Sequence, residues 1–155
     1  MDNVIRAQEW QRFAAMDLDS AEYLLKMHPV PIEIICYHCQ QSAEKYLKGY
    51  LVLHGKNPPK IHDLDELCKL CMSLSDTFKN IADHCSDLTA YGVHSRYPME
   101  MILEEQDMRQ ALNSSKTIRD FVLAIAPEMV PKKHDKSQSQ KSPSLETDNN
   151  KPNSL

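Results

Sequence analysis

Glycine is scarce in this sequence: only Gly49, Gly55 and Gly92 occur among 155 residues. Tight hairpin turns draw on glycine, so the scarcity argues against a β-rich fold. It also excludes phosphate-cradling loops built on clustered glycines, the Walker and dinucleotide fingerprints among them. No run approaches the ~20 apolar residues that cross a bilayer. The N-terminus, residues 1–16, is polar and lacks the apolar stretch of a signal peptide, so a cytoplasmic location is expected. Five cysteines, an odd number, fit a reducing compartment better than a disulfide framework. Excess positive charge is missing too, the net charge being −4. Residues 1–130 hold 13 Lys+Arg against 19 Asp+Glu, whereas residues 131–155 hold 5 against 3. An acidic domain is a poor general binder of nucleic-acid backbone. Any anion site must therefore be a local patch.

What the chain does have is helical periodicity. Trp10, Phe13, Ala14, Leu18, Ala21, Leu24 and Leu25 fall at three-and-four spacing and predict a helix over residues 3–27. Pro29 and Pro31 stop it. A second helix is predicted over 32–54, with Ile35, Cys36, Cys39, Ala43, Tyr46, Leu47, Tyr50 and Leu51 inside and Gly55 at its end. A third, 64–74, begins at Asp63, which has capping-box spacing to Glu66. A fourth, 76–90, buries Phe78, Ile81, Ala82, Cys85 and Leu88. A turn over 91–98 leads to a fifth, 104–125, with Met108, Ala111, Leu112, Ser115, Ile118, Val122 and Ile125 inside. Residues 131–155 are rich in Lys, Ser, Pro, Asn and Gln and cannot bury enough to offset ordering, so a disordered polar tail is expected. The fold class is all-α, an up-and-down bundle of four to five helices over residues 1–130.

Four constellations carry potential chemistry. Cys36 and Cys39, with Cys68 and Cys71, have zinc-ligand spacing, but all four lie on apolar helix stripes, where free cysteine packs as a small hydrophobe. The packing reading leads, and no metal or cofactor is expected. Gln40, Gln41, Glu44, Lys45 and Lys48 make a polar face on the second helix, whose bland reading is a solvated surface with a Glu44–Lys48 ion pair. His62 precedes the capping Asp63 and is either a base held by a carboxylate or a structural residue. Tyr91, His94, Arg96 and Tyr97 cluster before Pro98, where a guanidinium fork and aromatic rings suit phosphate and base. A proline-ended turn is the alternative.

Together these residues resemble the HEPN domain family. The matching pieces are the stretch Gln40-Gln41-Ser42-Ala43-Glu44-Lys45-Tyr46-Leu47-Lys48, the turn His62-Asp63-Leu64, and Arg96-Tyr97-Pro98. Their order and spacing match over about residues 3–126. The resemblance implies a helical bundle that pairs into a homodimer. It also implies pairing with a minimal nucleotidyltransferase, nucleotide binding or, in many members, metal-independent RNase activity of toxins. RNase members place a His four to six residues after an Arg. Here the matching Arg96 is followed at those positions by Met101, Ile102 and Leu103, none of which moves a proton. This chain is similar to the Arg-Tyr-Pro branch instead.

The expected function is therefore non-catalytic binding. A dimer holds a nucleotide, an RNA or a nucleotidyltransferase segment in a groove around Arg96, with Tyr97, Lys45, Lys48, Gln41, His62 and Tyr91 as ligand-binding candidates. One alternative is an RNase toxin using Arg96 with His94 or His62. Another is a purely structural dimer.

Overall fold

The computed structural model describes residues 2–94 and 102–133, without the side chains of Val93 and His94. Asp2 starts the first helix, α1 (Asn3–Leu24), its carboxylate accepting the Val4 N–H at 2.8 Å. α1 ends three residues earlier than its periodicity predicts. The chain tightens into i→i−3 bonds, Leu25 to Glu22, Lys26 to Tyr23 and Met27 to Leu24. α2 (Ile32–Leu53) closes in a Schellman arrangement. Lys56 N–H donates to Leu51 C=O at 2.9 Å and Gly55 N–H to Val52 C=O at 3.0 Å, with Gly55 at φ +74°. That left-handed backbone is open to glycine and costly for a side chain.

α3 (Leu64–Met72) starts from Asp63, whose carboxylate accepts the Asp65 and Glu66 N–H groups. The predicted fourth helix divides. Asp76–Ile81 is a 3₁₀ segment, and only Ala82–Thr89 is α-helical, α4. Tyr91–His94 forms a one-turn helix, α5, where a turn was expected. α6 (Glu105–Ile125) follows, and a 3₁₀ turn at Pro127–Met129 completes the described elements. The bundle is all-helical, with no strand among the described residues. No described helix is long and apolar enough to cross a membrane.

α2 is the central element. α1 and α6 pack along it, and α3, α4 and α5 meet its other sides. All eight residues of its predicted stripe are buried. Tyr46, Leu47, Ile35, Leu18, Leu67, Phe78 and Ile118 are among the largest fully buried side chains. Each fully buried aliphatic or aromatic side chain contributes about 1.5–3 kcal/mol. Phe78 ties the 3₁₀ segment to α2 and α6, its ring centroid 4.6 Å from Tyr50 and 5.1 Å from Phe121. Two predicted core positions are surface positions: Phe13 is 47% exposed and Ile125 39%.

The two Cys-x-x-Cys pairs lie inside α2 and α3, and all four thiols are buried. Cys71 donates to Leu47 C=O and Cys68 to Phe78 C=O. Burial pushes the Cys36 and Cys39 thiols up to about 12, so they stay protonated and pack as apolar groups.

Candidate functional site

Because α2 has neighbours on nearly every side, its polar face is covered as well. Gln40, Glu44 and Lys48 follow one another at i, i+4 and i+8, a single ridge on the helix. All three are buried, Glu44 at 4% and Lys48 at 6% exposure. The expected solvated face is thus a lined polar seam, roofed by the loop before α3.

Glu44 holds the seam together. Its Oε1 lies 2.8 Å from His62 Nδ1, and its Oε2 accepts from Lys48 Nζ at 3.4 Å. A carboxylate only accepts, so Nδ1 carries the imidazole proton and Nε2 points away from the bond. The His62 side chain is 55% exposed, which leaves that outer edge open. Gln40 fixes the loop itself, donating from Nε2 to His62 C=O at 3.0 Å, while its Oε1 accepts from Gln41 Nε2 at 2.7 Å. Asp63 faces α3 as its cap, so the carboxylate that orients His62 comes from 18 residues earlier in the chain.

α5 docks against the same seam. A Cβ at Gly92 would stand 2.7 Å from Gln40 Nε2 and 2.8 Å from Gln40 Cδ, so a side chain there would displace the Gln40 amide. α5 therefore leaves the bundle beside Gln40. Tyr91, at its start, is half-buried, and burial, with the Asp107 carboxylate adding to it, pushes its phenol up to about 12.

A second carboxylate sits on the opposite edge of the α2 face. Asp17 of α1 accepts from His38 Nδ1 at 2.9 Å and pairs with Lys45 through its other oxygen. Lys45 also walls a groove with Trp10 and Phe13 of α1.

The described bundle, α1 through α6, is the stretch matched by the HEPN domain model, residues 7–126. The chain belongs to the HEPN domain family. Its fold is similar to the crystal structure of TT1696 from Thermus thermophilus, with a TM-score of 0.66 at 23% identity, over 80% of this chain and 98% of that one. No curated protein matches it.

In this HEPN domain the predicted site residues divide into three groups. His62, Lys48 and Gln41 converge on the Glu44–Gln40 seam. Lys45 is tied to Asp17 and Tyr91 packs against the core, so neither is seen in the His62 cluster. Arg96, Tyr97 and the His94 side chain lie outside the described residues. Lys45 and Lys48 each already face a carboxylate, so the positive charge expected of them is locally balanced. Sequence reasoning missed Glu44 as the partner of His62, and Asp17 altogether. The signal for Glu44 was the i, i+4, i+8 ridge of polar residues on a helix that is apolar around most of its circumference.

Proposed function

We propose that this HEPN domain binds a phosphate-bearing ligand, a nucleotide or an RNA backbone, where the His62 edge meets the Arg96-Tyr97 loop. The supporting observation is the Glu44–His62 contact at 2.8 Å, which presents Nε2 of a half-exposed imidazole in a fixed direction. Buried carboxylates behind a histidine fix its tautomer and ring plane. In this proposal the Arg96 loop joins the seam because it follows α5 directly in the sequence. Arg96 follows Gly92 by four residues, and a Cβ built on Gly92 would meet the Gln40 amide. With both nearby lysines balanced by carboxylates, the grip on phosphate falls to the Arg96 fork, with Gln41 Nε2 as a further donor and His62 Nε2 as an acceptor for a ribose hydroxyl. Tyr97 supplies a stacking face for a base. A minimal nucleotidyltransferase is the protein partner that the family points to for the same loop.

The same contact favours one second reading, metal-independent RNA cleavage. An imidazole oriented by a carboxylate is equipped for acid–base work, worth ~10²–10⁴-fold. His62 then takes the role for which the sequence offers no His after Arg96. One experiment separates the readings. ATP, GTP and a short labelled RNA are titrated against the wild type, Arg96→Ala and His62→Ala, and the RNA is afterwards examined for cleavage in chelator. Binding lost in Arg96→Ala with intact RNA throughout supports the binding module. Cleavage that disappears in His62→Ala supports the RNase. Indistinguishable isotherms for all three proteins, with no cleavage, refute both.

A further inference from the structure

α3 and α4 lie against each other antiparallel, and side-chain bonds fix their register. Leu64 N–H, at the start of α3, donates to Thr89 Oγ1 at the end of α4, at 3.0 Å. Ser86 Oγ, further back on α4, donates to Asp65 Oδ1 at 2.6 Å. Cys68 comes one helical turn after Leu64, and Cys85 one turn before Thr89. The same register therefore sets these two cysteines opposite each other, and their thiols hydrogen-bond. Cys71 turns instead to α2, donating to Leu47 C=O at 3.6 Å, and Cys36 and Cys39 belong to α2 itself.

Cys68 and Cys85 differ in access. Cys68 lines a groove of about 430 Å³ between α3 and α4, beside Lys69, Met72 and Ser86. Cys85 is fully buried. They differ in acidity as well. The Cys85 S–H supports charge on the Cys68 sulfur and brings that thiol below its ordinary range. The same bond, with burial, holds the proton on Cys85. A thiol that reaches a groove and ionises more readily, backed by a second thiol in contact, has the chemistry of a redox-sensing pair.

We infer that Cys68 and Cys85 are an oxidisable pair, which hydrogen peroxide converts into a disulfide tying α3 to α4. The Cys68 thiolate attacks one peroxide oxygen and the O–O bond breaks. The leaving hydroxide takes up the proton that Cys68 released and becomes water, while Cys68 becomes a sulfenic acid. The Cys85 sulfur then attacks the Cys68 sulfur. The S–O bond breaks, and the hydroxyl leaves as a second water with the Cys85 proton. Together the two thiols lose two electrons and two protons, and the peroxide is reduced to water. Small thiols reverse the bond by exchange, which suits a reducing compartment, where disulfides are transient. This inference does not rest on the phosphate-binding reading.

The test treats the reduced full chain with hydrogen peroxide in the presence of chelator and removes the excess with catalase. The protein is then unfolded in urea with N-ethylmaleimide and read by intact mass and peptide mapping. Untreated protein takes up five labels, one for each cysteine. Treated protein is expected to take up three, to regain five after dithiothreitol, and to yield a cross-linked peptide joining Cys68 to Cys85. In Cys85→Ser the sulfenic acid on Cys68 has no thiol beside it and is trapped by dimedone. Cys68→Ser keeps its four remaining thiols through the treatment. Circular dichroism verifies that both variants keep their helices, and the wild-type map stands without them. Five labels after treatment overturn the inference. So does a cross-link through any other cysteine, or a Cys68 oxidised to sulfinic acid with Cys85 still free.

Discussion

Replacing Glu44 by alanine tests whether the polar ridge of α2 belongs to the interior. The substitution removes the one carboxylate that faces both Lys48 and His62. Two magnitudes compete. If Glu44–Lys48 were an ordinary exposed helix pair at i, i+4, its loss would cost about 0.3–0.5 kcal/mol. Yet the side chains are 6% and 8% exposed, and stranding one partner of a buried ion pair costs about 3–5 kcal/mol. Burial decides the outcome here rather than bond strength, since the N···O separation of 3.4 Å is long. A domain with about 5–15 kcal/mol of total stability would lose a large share of it. The assay is urea unfolding of the wild type, Glu44→Ala, Lys48→Met and the double variant. Glu44→Ala should lower stability by about 3 kcal/mol or more, and the double variant should recover much of that, because an apolar side chain suits the vacated interior. A loss below about 1 kcal/mol in Glu44→Ala, with additive effects in the double variant, would refute the buried-pair reasoning.

Gly92→Ala forces a Cβ against the Gln40 amide at 2.7 Å, and overpacking of this kind costs about 1–3 kcal/mol. Thermal unfolding should show the loss, and the His62 imidazole resonances should shift because Gln40 bonds the His62 carbonyl. The five cysteines are all buried, so a thiol reagent should label the native protein slowly and the urea-unfolded chain five times. Alkaline pH should destabilise the fold: burial raises Cys36 and Cys39 from 9.0 to about 12. The folded state therefore keeps protons that the unfolded chain releases. Stability is full below about pH 9 and falls as pH rises towards 12, which denaturant midpoints measured across that range would reveal. A flat profile there would show that these thiols titrate freely.

The helices were legible because their signals are local. Apolar spacing, the proline pair before α2, Gly55 and the Asp63 cap each act within a few residues. Where packing decides, the sequence misled. Phe13 fits the α1 stripe by spacing, but that stripe is wider than the surface α2 covers, so the ring stands at the edge. The stretch 76–81 has helical spacing yet forms a 3₁₀ segment, a distinction that the apolar pattern does not encode. The polar face of α2 was misread for a deeper reason. Lys45 and Glu44 find their partners Asp17 and His62 in other elements, and only the tertiary arrangement reveals that such a face is enclosed. The family pieces singled out in the sequence were nonetheless informative, since two of them, the 40–48 stretch and the His62 turn, meet in space at Glu44.

The central claim is that a carboxylate-held imidazole and the Arg96 loop form one phosphate-binding site. Isothermal titration of labelled RNA into the wild type, His62→Ala, Glu44→Gln and Arg96→Ala tests it most directly. The account predicts the largest loss of affinity for Arg96→Ala, smaller losses for His62→Ala and Glu44→Gln, and a salt dependence that weakens when the arginine is removed. Affinity and salt slope that are the same in all four proteins would contradict it.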